Sequence, residues 1–329
     1  MYAAMELGYF LSSEEQRPEK QVNFASQAEE AGFQFLVISD HFHPWVSQQG
    51  QSPFVWSVLG GIAQATERVR VGTAVTCPIM RIHPAVIAQA ASTVAAMMPG
   101  RFFLGIGTGE YLNEHVLGHP WPDTNIRQEM LVEAVFILRE LWKGEEFTHY
   151  GAYYTVSDAR IYTLPEEPPA IYMAASGPKS AALAGEIADG FISTTPGNEL
   201  VKEFKENGGA DKPCFGSIKV CWAKSVEKAK EVMRQWWPVS AISGRLHSDL
   251  PTPKHFEDAV ELMGKPELPE DAILGPDAQP YIQALQSLQD DGYDHVYIHQ
   301  VGPDQEGFLQ FFQQELLPAL EEKSLIKEA

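Results

Sequence analysis

Phe33-Gln34-Phe35-Leu36-Val37-Ile38-Ser39-Asp40-His41-Phe42-His43-Pro44-Trp45 is the stretch that decides how this chain folds. Its core, Phe35-Leu36-Val37-Ile38, is an unbroken apolar run of strand length. That is the composition of a parallel strand buried on both faces, where polar alternation disappears because neither face meets water. The run gives way abruptly to polar and aromatic groups, so the strand ends where chemistry-bearing side chains begin. A strand covered on both faces needs helices around it, and the flanking segments supply them. One is predicted over 18–32, closing on the helix-terminating Gly32, and another over 54–67.

The same unit recurs outward in both directions. Strands are predicted over 5–10, 33–41, 68–76, 101–109, 170–175, 190–195, 215–223 and 295–302. Between them lie amphipathic helices over 83–98, 127–142, 179–188, 226–237 and 278–291, and a last one over 307–321 packs the outside. Strands alternating with helices from end to end imply an α/β fold, a (β/α)8 TIM barrel, read as a single domain over 1–329. Two insertion segments interrupt the rhythm. One, near 145–165, carries Tyr150, Tyr153 and Tyr154 in a turn with short strands. The other, 238–276, is rich in proline and charge, is too long for a plain loop, and is expected to form a partly helical excursion over one barrel face.

Bulk properties narrow the function. The formal net charge of −20 disfavours nucleic acid and anionic membranes as partners. No apolar run is long enough to span a bilayer, and no basic-then-apolar leader opens the chain, so a cytoplasmic protein is expected. Three cysteines without a CxxC pair point to reduced thiols, and the eight histidines other than His41 and His43 share no ligand spacing, so no metal site is expected. No GxSxG elbow supports a serine hydrolase.

In a barrel of this kind chemistry belongs at the C-terminal ends of the strands. Asp40 and His41 end strand two, Cys77 follows strand three, Thr108-Gly109-Glu110 ends strand four, and Ser176-Gly177 ends strand five. A histidine at such a place suits general base chemistry near neutral pH, and Trp45 suits a pocket wall with an N–H for a developing oxyanion. Taken alone, the same residues equally describe a strand cap with a packed tryptophan. Gly105-Ile106-Gly107-Thr108-Gly109-Glu110 lacks the helix and acidic partner of a dinucleotide fingerprint. It offers either close backbone approach to a flat ligand, with Glu110 exchanging a proton at its rim, or a tight turn with a solvated acid. Ser176-Gly177-Pro178-Lys179-Ser180 opens a helix, which suits a phosphate as well as an ordinary junction capped by Ser176.

Together these segments resemble the luciferase-like flavin and deazaflavin oxidoreductases, in the branch that includes F420-dependent glucose-6-phosphate dehydrogenase. The resemblance rests on Ser39 to Trp45, Gly72 to Pro78, His83 to Ala90, Gly107 to Glu110 with Asn113 and Glu114, and Asp189 to Ile192, and it runs along nearly the whole chain. It implies a deazaflavin, coenzyme F420, across the barrel mouth, contacted by Asp40, Cys77, Thr108, Gly109 and Asn113. The phosphate tail would lie near Ser176, Gly177, Lys179 and Ser180. A non-prolyl cis peptide at Ala74–Val75 would form a bulge behind the ring. His41 would take a hydroxyl proton as hydride leaves its carbon, Trp45 would steady the anion, and Glu110 would supply a proton to the reduced ring.

Departures from the sugar-phosphate enzymes set the expected substrate. Thr194-Thr195-Pro196-Gly197 lacks the phosphate-binding lysine of that branch, and Asp258 and Glu270 lie near the places of its later cations. Cys77-Pro78-Ile79-Met80-Arg81 resembles the F420-dependent secondary-alcohol dehydrogenases. The expectation is an F420-dependent dehydrogenase of an alcohol or sugar-like substrate, with Trp45 and Thr194 in the substrate pocket, acting as a homodimer. The alternatives are a glucose-6-phosphate dehydrogenase, an FMN-dependent luciferase-like oxidoreductase or monooxygenase, a reductase drawing hydride from the reduced deazaflavin, and a deazaflavin-binding protein without turnover.

Overall fold

A computed structural model describes residues 4–193, 195–242, 244–264, 268 and 272–326. Eight parallel strands close on themselves: β1 Glu6–Leu11, β2 Phe35–Ile38, β3 Arg70–Thr73, β4 Phe102–Ile106, β5 Ala170–Ala174, β6 Gly190–Ile192, β7 Cys214–Cys221 and β8 His295–Gln300. β8 pairs with both β1 and β7, and β6 with β7, so the predicted (β/α)8 barrel is the observed one. Each predicted strand is present, most of them trimmed at their C-terminal ends. The polar residues there leave the ladder and become loop, which is how the site is built.

The register sorts the side chains into two cores. Phe10, Phe35, Val37, Phe103, Tyr172, Ile192, Phe215 and Tyr297 pack together inside the barrel. Leu7, Tyr9, Leu11, Leu36, Ile38, Val71 and Leu104 face the surrounding helices in the larger outer cluster. Both faces of β2 are therefore buried, and that explains its unbroken apolar run. Each such large side chain contributes roughly 1.5–3 kcal/mol on burial. Continuing the inward alternation upward puts Ser12 above Phe10, Ser39 and His41 above Val37, Ser217 and Lys219 above Phe215, and His299 above Tyr297.

The helices Pro18–Ala31, Val55–Ala65, Pro84–Met97, Thr124–Leu141, Pro178–Ile187, Val226–Trp236 and Ala278–Asp290 fall within a few residues of expectation. The expected final helix divides into Gln305–Phe311 and Leu317–Glu322 around a wider turn. The segment near 145–165 is an antiparallel hairpin, Phe147–Tyr150 with Thr155–Ala159. The excursion carries short helices at Arg245–Asp249 and Pro253–Met263 and a strand, Ile273–Leu274, added to β7. It folds Trp237, Val239, Ile242 and Phe256 onto Trp45 beside the mouth.

Candidate active site

His41 stands at the centre of the barrel mouth, its side chain only 9% exposed. Its Nδ1 lies 3.1 Å from the His43 carbonyl, which can only accept, so Nδ1 carries the hydrogen and Nε2 is left for chemistry. Nε2 is 3.3 Å from Glu14 Oε1 and 3.9 Å from Glu110 Oε2. The Trp45 ring packs 5.0 Å from the imidazole, with His247 and Phe256 on its other sides at 4.4 and 5.3 Å. His43 turns away, bonding the Leu112 carbonyl and stacking on His115.

Glu14 was not singled out in the sequence, yet it is the buried partner of His41. It accepts hydrogen bonds from Ser39 Oγ at 2.6 Å and Ser12 Oγ at 3.1 Å. Burial alone would push its carboxyl up, but His41, the Ser39 hydroxyl, its own N–H and His299 outweigh burial and hold it below the usual range. Its neighbour Glu15 takes the opposite course. Burial pushes it up to about 8, against the Gly302 N–H that donates to it at 2.7 Å. Two adjacent acids, Glu14 and Glu15, just beyond the end of the first strand are the signal in the sequence.

Glu110, with 32% of its side chain exposed, accepts from Asn113 Nδ2 at 3.3 Å. Asn113 is buried, and its Oδ1 accepts the N–H groups of Phe42 and His43, fixing the loop that carries His41. Asp40 is buried in an ion pair with Arg81 Nη2 at 2.7 Å and accepts from Thr76 Oγ1 at 2.9 Å. Arg81 also joins Glu114, through its N–H at 2.7 Å and through Nε at 3.6 Å. Burial raises Glu114 to about 7 despite Arg81. This clamp ties the loops after β2, β3 and β4 together beneath Glu110. Asp40, Asn113 and the buried Cys77 thus spend their polar atoms within the protein, whereas Ala74, Val75, Thr108, Gly109 and Glu110 keep partial exposure at the mouth.

The Ala74–Val75 peptide is cis, at the place the resemblance implied. Both side chains pack on the top of the interior cluster, a small apolar platform. The glycines of 105–109 serve this bulge. A Cβ on Gly105 would meet the Thr73 carbonyl oxygen at 1.9 Å, and one on Gly109, where φ is +72°, would meet Cys77 Sγ at 2.5 Å. They allow β4 to lie against the β3 bulge, a closer constraint than approach to a ligand. At the end of β5, Gly177 and not Ser176 caps the helix. Ser180 Oγ donates to the Gly177 carbonyl at 2.9 Å, and Ser176 and Lys179 are exposed at a helix start where Pro178 has no N–H and those of Lys179 and Ser180 have no intrahelical acceptor. Thr194 lies outside the described residues. Among the described residues no group of histidine, cysteine and acidic side chains is placed to hold a metal, and no helix is long and apolar enough to cross a membrane.

The family of luciferase-like monooxygenases matches residues 5–305. The F420-dependent glucose-6-phosphate dehydrogenase of Microbacterium testaceum is 36% identical over 335 residues, covering 98% of this chain and 99% of the relative. That of Segniliparus rotundus is 36% identical over 335 residues, covering 97% and 99%. An F420-dependent secondary alcohol dehydrogenase, solved with an F420-acetone adduct, superposes with a TM-score of 0.86 at 30% identity, over 96% of this chain and 99% of that one.

Proposed function

We propose, on the premise that this chain belongs to the luciferase-like monooxygenase family, that it is a coenzyme F420-dependent dehydrogenase acting on a hydroxyl-bearing carbon. The observation that carries this reading is His41, whose free Nε2 faces two carboxylates of different burial with Trp45 alongside. A base that takes a proton benefits from a buried anion beside the nitrogen that becomes charged, and Glu14, 3.3 Å from Nε2, is that anion. Glu110, at the exposed rim, is placed to exchange a proton with a neighbouring ring. The mouth fits a flat, partly apolar group: the Ala74–Val75 platform lies at its floor, Thr108 and Gly109 form an edge, and Ser176, Gly177, Lys179 and Ser180 offer donors and a cation for an anionic tail. Coenzyme F420, when bound, supplies the hydride acceptor. His41 accepts the hydroxyl proton at Nε2, Glu14 stabilises the resulting imidazolium, and Trp45 excludes water and borders the substrate.

A single barrel domain acting as a cytoplasmic homodimer completes the proposal. Exposed apolar side chains on adjoining outer helices, Val86, Met97, Val132 and Phe136, favour the dimer. Glucose 6-phosphate is the second reading, favoured by the names of the 36% identical relatives. Titrating the protein with F420 and with FMN, then following loss of the coenzyme's visible absorbance with alcohols, sugars and glucose 6-phosphate, tests both readings. Tight FMN binding with no reduction of F420 by any hydroxyl compound would sink the proposal. Efficient turnover of glucose 6-phosphate at micromolar KM would replace the first substrate reading with the second.

A further inference from the structure

Lys219 has no place in the chemistry above, and its position is unusual. It lies between Ile218 and Val220 on β7, and the inward alternation from Phe215 through Ser217 points it into the barrel, one layer above the packed interior. A lysine facing inward in a parallel barrel strand requires an explanation, since such strands are covered on both faces. The register sets it beside His299 on β8. Its ammonium lies 3.9 Å from the centre of the Trp237 ring, and Trp237 belongs to the same packed cluster as Trp45, the wall of His41. The side chain keeps substantial solvent contact although it stands inside the barrel, which only an open mouth above it allows.

Among the described residues no carboxylate approaches Lys219 within ion-pair distance, and no hydrogen bond engages it. Glu15 and Glu14 from the end of β1 face it from farther off. Glu15 is kept largely neutral by burial, and Glu14 is already held by His41, Ser39 and Ser12. His299 and His247, the other titratable neighbours, are both lowered, chiefly by burial, and so stay uncharged at neutral pH. Among the described residues, Lys219 is thus a cation without an ion-pair partner on the aromatic wall shared with the base. We propose that Lys219 is a specificity-determining residue that binds a carboxylate of the substrate, which is then a hydroxycarboxylate. A single ammonium matches one negative charge. A phosphate dianion would carry a second charge that no other described side chain of this layer neutralises.

This inference rests on the alcohol-dehydrogenase reading, and two measurements separate the fates of the two. The first compares α-, β- and γ-hydroxycarboxylates with their methyl esters and with phosphate monoesters, in F420 reduction by the wild type and by Lys219→Met, which keeps the length of the side chain against Trp237. The best acid should exceed its ester in kcat/KM by about tenfold to a hundredfold, the usual worth of a charged hydrogen bond. Lys219→Met should collapse that ratio to about one. The second is calorimetric titration of the same acids into the coenzyme-loaded protein, with Lys219→Met binding at least about tenfold more weakly. An ester or phosphate preferred over the acid, or an equal loss on acid and ester in Lys219→Met, would overturn the carboxylate site alone. Acid binding that depends on Lys219, with no alcohol turned over, would overturn the dehydrogenase reading and leave the anion site standing.

Discussion

Replacing Glu14 with glutamine tests whether the pair at the mouth works as a unit. Glutamine keeps the shape and can still accept from Ser39, but it removes the negative charge 3.3 Å from His41 Nε2. At an effective dielectric of ~20, two unit charges at that separation attract by about 5 kcal/mol. Desolvation and the remaining polar groups reduce this, and removal of a charged hydrogen bond generally costs about 1.5–3 kcal/mol. Because the imidazolium exists only once His41 has taken the proton, the cost falls on the transition state. kcat should drop by about tenfold to a hundredfold in Glu14→Gln. Glu14 is buried beneath the mouth, held by Ser12 and Ser39, so coenzyme affinity measured by titration should change little. The double variant Glu14→Gln with His41→Ala should be no slower than His41→Ala alone, since the charge then has nothing to stabilise. A kcat within twofold of wild type, or a double variant slowed by the full product of the two single losses, would refute the coupling.

Three other outcomes follow from the same geometry. His41→Ala should lower kcat by about two to four orders of magnitude in steady-state F420 reduction, with the coenzyme Kd nearly intact; an unchanged kcat refutes the base. Arg81→Met leaves Asp40 and Glu114 buried without their cation and should lose about 3–5 kcal/mol in urea unfolding, whereas a loss under about 1 kcal/mol would show that the clamp adds little. Glu15 binds its proton more tightly when folded, since burial raises it to about 8 from the unfolded value of 4.5. Its contribution is therefore fully present below the unfolded value and declines as pH rises from about 4.5 to about 8. In Glu15→Gln the fall in stability over that window should become shallower, as read from urea midpoints at several pH values. An unaltered slope would contradict a neutral Glu15.

The barrel was legible because its information is local: apolar runs four to six residues long, separated by amphipathic segments, dictate buried parallel strands whatever lies elsewhere. The site was legible only in part, because it is assembled by closure of the barrel. Nothing in the spacing of Glu14 and His41 announces that they meet, since the contact follows from β1 and β2 lying side by side with Leu11 opposite Ile38. Arg81 occupied a segment used for the resemblance, yet its reach back to Asp40, 41 residues earlier, follows from β2 and β3 lying side by side. The glycines of 105–109 were recognised as sites of close approach. What approaches them, the backbone of Thr73 and the side chain of Cys77, is a tertiary fact.

Charge shows the same limit most clearly, and it bears on the substrate. A net charge of −20 and the acids near the expected phosphate positions suggest a mouth hostile to anions. In the fold, Asp258 pairs with Lys254 on the surface of the excursion, at 2.7 Å, and Asp40 and Glu114 are tied to Arg81. Of the acids nearest the base, Glu15 is largely neutral by burial and Glu14 is engaged by His41. The surface is acidic, but among the described residues Lys219 stands inside the barrel without a carboxylate at ion-pair distance. Counting residues by sign over the chain therefore overstates the negative charge at the mouth, because burial and pairing silence most of the described acids there. A missing loop lysine removes one way of holding a phosphate. It leaves open an anion held from the barrel strand, where the inward register had already placed a cation.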